Sequence, residues 1–161
     1  ELGDITASQE DKNKWLIQKN TEYLSYIDEL DESEILPGVS SVLNYLKEYQ
    51  QNIVLGSASK NARPILEKTG IIHYFDAIVD GNDVTNAKPD PEVFLQGAKK
   101  MNTPPANCIV FEDSVAGIQA ANIAQMTSIG IGEKEVLHEA KFIFPNFTFI
   151  DTTFLDNLLK K

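Results

Sequence analysis

Three short polar strings carry the chemistry of this sequence: Ser57-Ala58-Ser59-Lys60-Asn61, Lys88-Pro89-Asp90-Pro91 and Phe111-Glu112-Asp113-Ser114. Each sits where a strand or loop gives way to a helical pattern. Hydroxyls and the free N–H groups of a helix start cradle phosphate, and a lysine balances its charge. Adjacent carboxylates at a strand end repel one another unless a cation or donors compensate. Oxygen-only ligands favour magnesium over zinc. Together the strings fit a magnesium-dependent phosphoryl-transfer site, with Ser57, Lys60 and Lys88 turned to phosphate and Glu112 and Asp113 to the cation. Taken singly, each has a plainer role. Ser57 and Ser59 serve equally as turn residues or caps, and Lys88 as a solvated lysine. Asp113 or Ser114 could simply cap a helix while Glu112 faces water.

A scaffold has to bring these strings to one place. Ile53-Val54-Leu55, Ala77-Ile78-Val79, Cys108 to Phe111, Thr127-Ser128-Ile129 and Phe142-Ile143-Phe144 read as strands. Ser8 to Glu29 reads as a helix capped by Ser8, with Trp15, Leu16, Lys19, Tyr23 and Tyr26-Ile27 at steps of three and four. The aromatic members of that set are expected to be helix packing. Val42, Leu43, Leu46 and Tyr49 form a second helical stripe. Ser59 or Asn61 caps a third helix, with Pro64 in its first turn and Gly70 at its end. Asp90 then caps a helix that starts at Pro91 and turns Val93, Phe94, Gly97, Ala98 and Met101 inward. Ser114 to Ala124 and Thr152 to Lys160 complete the helices, and Gly130-Ile131-Gly132 reads as a loop. Alternating strands and helices make an α/β fold, a parallel sheet wrapped by helices. Sites in such sheets form beyond the carboxyl ends of the strands, which places Ser57 and Glu112-Asp113 on one rim.

Composition narrows the function further. The 161 residues, 42% hydrophobic, suffice for one α/β domain with a sizeable core. Fourteen basic against 24 acidic residues give a net charge of -10, which argues against nucleic acid or an anionic membrane as partner. An anionic substrate then needs a local positive site, and Lys60 and Lys88 are the candidates. The single Cys108 lies in an apolar run and reads as a core residue; with no internal disulfide open to it, a reducing cytoplasm is the expected setting. His73 and His138 stand far apart with no second ligand at metal spacing, and read as structural or surface residues.

The three strings, the last extended through Val115-Ala116-Gly117-Ile118, resemble those of the haloacid dehalogenase superfamily, and Ser57 to Asn61 resembles its phosphosugar mutase subgroup. The likeness runs from about Lys19-Asn20 to the C-terminus. It implies a Rossmann-like parallel-sheet core over residues 37–161, preceded at 1–36 by part of a helical cap and its linker. The implied activity is a magnesium-dependent interconversion of β-D-glucose 1-phosphate and glucose 6-phosphate, through an aspartyl-phosphate and a bound bisphosphate. A sugar-phosphate phosphatase and a non-catalytic binding module are the alternatives. By the same resemblance Ser57 and Ala58 hold the transferring phosphoryl and Lys88 neutralises it. Ser59, Lys60 and Asn61 grip the other phosphate, Lys19 reaches the substrate from the cap, and Glu112 and Asp113 hold magnesium.

One family feature has no counterpart: an Asp-x-Asp at the end of a buried strand, which bears the nucleophile. Asp4, Asp11 and Asp28 do not follow such a strand. The chain is therefore expected to be the carboxyl-terminal portion of a longer enzyme, inactive alone and without its central first strand. The strands at Ile53 and Cys108 should then flank a gap of about 10 Å, open to another chain or a swapped segment.

Overall fold

A computed structural model describes residues 8–159 of the protein. Helix α1 (Gln9–Glu29) begins where Ser8 Oγ accepts the Asp11 N–H at 3.1 Å. After a turn at Pro37-Gly38 the chain runs α2 (Val39–Glu48), β1 (Val54–Gly56), α3 (Ala62–Lys68), β2 (Ala77–Val79) and α4 (Glu92–Lys100). It continues through β3 (Ile109–Glu112), α5 (Val115–Ile123), β4 (Thr127–Ile131), β5 (Phe142–Phe144) and α6 (Thr152–Leu159).

All described strand pairs are parallel, but they form two separate sheets, β1-β2 and β3-β4-β5. Strands β1 and β3 do not pair with each other. Between the sheets lies a cleft of about 670 Å³, with Val54, Leu55, Phe94, Ile109 and Phe111 among its lining residues. The expected interruption between these two strands is therefore present.

Two helices hold the halves around the cleft. Helix α4 packs on β1 and β2 and also meets α5. Gly97 lets it come close, since a Cβ there would stand 3.1 Å from Val54 Cγ1. Helix α2 precedes β1 in sequence yet packs with the other half: Val42 and Tyr45 cluster with Ile150 and Leu155, against Phe111, Ile131 and Phe144. Tyr45 Oη donates to Asp156 Oδ1 on α6, 111 residues away. Burial first, and then the Asp156 carboxylate, push this phenol well above its ordinary pKa. A second cluster, Ala98, Val110, Ala121, Ala124 and Met126, joins α4, β3 and α5, with half-buried Cys108 packed against it.

Several expectations shift. Strand β1 starts one residue later than Ile53, and β3 runs on to include Glu112. Pro91 occupies the N-cap position, not the first helical one, while Asp90 Oδ1 accepts the Glu92 N–H at 2.9 Å. Gly130 and Ile131 belong to β4 and not to a loop. A Cβ at Gly130 would stand 3.1 Å from Leu137 Cβ, so glycine here answers to packing by the following segment. The largest departure is on α1, where Trp15, Tyr23 and Tyr26 are exposed and Ile27 is buried. Helix α1 meets α3 near its carboxyl end, where Lys68 Nζ pairs with Asp28 Oδ1 at 3.1 Å. The aromatic stripe is not packing in the described structure. The Leu16 side chain, together with Asp4 and Lys160, lies outside the described residues.

Candidate phosphate and metal site

The β1–β2 wall carries the Ser57 loop. The Ser57 N–H donates to Val79 O at 2.9 Å, which continues the strand pairing one residue past β1. Ser57 Oγ then accepts the Ser59 N–H, and Ser59 Oγ the Asn61 N–H, each at 3.1 Å. Both hydroxyls are used as acceptors, so each keeps its proton to give to a phosphate oxygen. Ala58 and Lys60 are exposed, and no described carboxylate pairs with Lys60. Helix α3 has seven residues, so a phosphate held here would rest on hydroxyls and loop N–H groups more than on a helix dipole.

The segment after β2 braces this loop, and the sequence reading missed it. Asp80, only 2% exposed, accepts the Asn82 N–H at 2.8 Å and the Asn82 amide at 3.0 Å. Asn82 Nδ2 also donates to Lys60 O at 3.1 Å, and the Gly81 N–H to Ser59 O at 3.2 Å. A Cβ at Gly81 would lie 2.4 Å from Ala58 O, so only glycine allows this approach. Arg63 Nε sits 3.5 Å from Asp80 Oδ2 and balances its charge. The available signal was Asp80-Gly81-Asn82 placed directly after a strand on the same rim.

The β3–β4–β5 wall ends in Glu112. Lys88 Nζ donates to Glu112 Oε2 at 2.8 Å and to Gly56 O at 3.3 Å, and stands 4.7 Å from the Phe94 ring centre. It thus spans the cleft mouth from the last residue of β1 to the last of β3. Side-chain exposures of 12% and 10% make Lys88–Glu112 a nearly buried pair. The plain reading of a solvated Lys88 and a water-facing Glu112 is overturned. The Lys88–Pro89 peptide is cis. Glu112 Oε1 accepts from Ser114 Oγ at 2.6 Å, and Ser114 Oγ accepts the Gly117 N–H at 3.0 Å, capping α5. The Glu112 carboxyl lies on Gly117, where a Cβ would stand 2.0 Å from its carbon. Gly117 was quoted within the motif, but its role as a seat for Glu112 was not read from it.

Asp113 is exposed and bonds to no other described residue. Lys19 is exposed on α1, with no hydrogen bond or ion pair to any of these groups. Among the described residues no three His, Cys, Asp or Glu side chains cluster as a full metal cage. Magnesium does not need one: it commonly takes one or two carboxylates and completes its shell with water and substrate phosphate. A fixed Glu112 beside an unengaged Asp113 is a donor set that fits it.

The model of the haloacid dehalogenase-like hydrolase family matches residues 3–125. The chain is 36% identical to a β-phosphoglucomutase of Bacillus subtilis (strain 168) over 133 residues, covering 83% of this chain and 59% of that one. A crystal structure of β-phosphoglucomutase from Clostridium difficile superposes with a TM-score of 0.88 at 40% identity, covering 95% of this chain and 69% of that one. A fructose-1-phosphate phosphatase of Escherichia coli (strain K12) is 39% identical over 102 residues, 63% of this chain and 54% of that one. The chain therefore spans little more than half the length of these curated relatives. Among the described residues no helix is long and apolar enough to cross a membrane. The parallel α/β architecture, the site strings and the family match together show that this chain belongs to the haloacid dehalogenase-like hydrolases.

Proposed function

We propose that this chain is the phosphate- and magnesium-binding core of a β-phosphoglucomutase, which interconverts β-D-glucose 1-phosphate and glucose 6-phosphate. The observation that carries this reading is Lys88, buried at the mouth of the cleft and bonded to both walls. Ser57 and the Ala58 N–H hold the transferring phosphoryl group, and Lys88 offsets its charge as that charge moves to the equatorial oxygens. Glu112 and Asp113 would hold magnesium, which would supply further neutralisation of phosphoryl charge. Ser59, Lys60 and Asn61 grip the second phosphate, and the lack of any described carboxylate on Lys60 supports that role. A mutase must hold a bisphosphate in two orientations, whereas a phosphatase needs a single phosphate station. Residues 1–36 serve as part of a helical cap from which Lys19 meets the sugar phosphate. The carboxylate that accepts the phosphoryl group comes from a segment outside this chain. Asp80, the buried carboxylate on the β2 side of the rim, is committed to Asn82 and Arg63.

The E. coli fructose-1-phosphate phosphatase supports a second reading, a sugar-phosphate phosphatase. Incubating the whole enzyme with β-glucose 1-phosphate and a trace of glucose 1,6-bisphosphate separates the two. Glucose 6-phosphate formed without stoichiometric free phosphate supports the mutase; free phosphate in place of isomer overturns it. The 161-residue chain alone is expected to show no turnover in the same assay. Ordinary turnover by that chain would sink the proposed division of labour.

A further inference from the structure

Lys88 is delivered by a segment with no strand or helix of its own, the stretch from Asp80 to Pro91 between β2 and α4. The course of such a segment depends on bonds to its neighbours, and the Glu92 side chain supplies them. Glu92 Oε2 accepts the Thr85 N–H at 3.0 Å and the Asn86 N–H at 2.8 Å, while Oε1 also lies 3.1 Å from the Thr85 nitrogen. The Asn86 N–H, and then the Thr85 N–H, hold this carboxyl below its ordinary value of 4.5, so it is ionised at neutral pH. Behind it Gln96 donates to Glu92 Oε1 at 3.1 Å and to Asp83 O at 3.0 Å. On the far side of Lys88 the Asp90 N–H returns to Ala87 O at 3.0 Å, and Asp90 Oδ1 accepts the Glu92 N–H at 2.9 Å. One residue thus grips the chain both before and after Lys88.

We propose that Glu92 is the positioning residue for Lys88: its carboxylate and its N–H fix the chain around that lysine, so that the ammonium stands between the two walls. The support behind Glu92 is firm. It is the first residue of α4, whose Val93, Gly97 and Ala98 are buried, and that helix packs on β1, β2 and α5. A glutamate in a first helical turn ordinarily serves the helix dipole. Here its oxygens are given to the N–H groups of residues 85 and 86 instead. No described hydrogen bond or ion pair joins the Glu92 and Lys88 side chains, so the influence of one on the other passes through the main chain.

The catalytic half of this role rests on the part assigned above to Lys88, that of offsetting phosphoryl charge. A charged group displaced by about 1 Å from its working place can cost about 100-fold in rate. The Ser57 loop, by contrast, takes its brace from Gly81 and Asn82, upstream of the stretch that Glu92 holds. Loosening Glu92 should therefore slow the transfer step and largely spare the grip on substrate.

Two measurements test this. The first needs no turnover: urea unfolding of the 161-residue chain carrying Glu92→Gln, Lys88→Ala or both. The glutamine has the same length but turns an NH2 group toward the N–H donors. Lys88→Ala should lower the folding equilibrium constant at least about fivefold less in the Glu92→Gln background than alone. Independent, additive losses would overturn the positioning role. The second follows consumption of β-glucose 1-phosphate by the whole enzyme, whichever product forms. Glu92→Gln should lower kcat at least about tenfold and leave KM within about twofold. Gln96→Ala, which removes only the brace behind the carboxylate, should show the same split at about threefold in kcat; it replaces Glu92→Gln in both measurements if that variant fails to fold. Lost stability with kcat unchanged, or a rise in KM alone, would reduce Glu92 to a structural residue and overturn the proposal. A whole enzyme that consumes no sugar phosphate would strike the mutase reading, and the unfolding cycle would then decide by itself whether Glu92 holds Lys88.

Discussion

The β1–β2 wall fixes its rim at main-chain atoms: Ser59 O takes the Gly81 N–H, Lys60 O the Asn82 side-chain amide, and Val79 O the Ser57 N–H. The β3–β4–β5 wall does so through side chains, with Glu112 held by Lys88 and Ser114 and seated on Gly117. The difference suits the two tasks proposed for the rims. A loop that cradles phosphate with its own N–H groups must have its backbone set. A carboxylate that shares a cation needs a side chain able to exchange one partner for another. Added bulk should therefore harm the two walls in different ways.

The largest effect is expected where the walls join. Lys88→Ala leaves the Glu112 carboxylate nearly buried without a cation and should cost about 3 kcal/mol in urea unfolding. Adding Glu112→Gln should recover part of that loss, because the uncompensated charge is then gone. A single-variant cost under about 1 kcal/mol would show that the walls do not depend on this pair.

Next comes Gly81→Ala, whose new methyl meets the Ala58 carbonyl, a backbone atom that cannot swing aside. A loss of about 2 kcal/mol is expected, with weakened phosphate binding read by calorimetry. Gly117→Ala adds the same methyl against a side chain that can move. Its stability cost should be nearer 1 kcal/mol, while the whole enzyme should need about tenfold more magnesium for half activity. If the two alanine variants behaved alike in both measurements, the contrast between the walls would fail.

The smallest effect concerns the far end of the β1–β2 wall, where Asp76 accepts from Lys47 Nζ at 2.8 Å and from the Ile53 N–H at 2.8 Å. The Lys47 ammonium, and then that N–H, hold its carboxyl below the ordinary value of 3.8. A lowered folded value means that the stabilisation is present above 3.8 and is lost as pH falls through the folded value beneath it. Asp76→Asn should flatten that acid limb in a circular-dichroism titration and leave its slope near neutral pH unchanged. The pair is partly exposed, so the change should be modest.

Much of this arrangement was legible in the sequence. Short β-branched runs ended by Gly56-Ser57 and Glu112-Asp113 placed both chemical strings on one rim, because strand ends in parallel sheets share an edge. The gap between the sheets followed from the resemblance and from no local pattern. What stayed hidden depends on tertiary contact. Asp80-Gly81-Asn82 has the composition of any turn, and its brace exists only because β2 lies beside β1. Gly130 looks like a loop glycine until Leu137 packs on it. The spacing of Trp15, Tyr23 and Tyr26 marks one side of α1, but spacing alone does not say whether anything covers that side.

The bond from Tyr45 to Asp156 closes a span of 111 residues, and this bears on the order of events at the ribosome. Helix α2 leaves the exit tunnel well before Ile150 and Leu155, which cover Val42 and Tyr45. Closing so long a loop carries an entropy cost that local contacts cannot offset beforehand. Nascent chains stalled before Thr152 should therefore keep α2 open to proteases. Completion of α6 is the event that hides it.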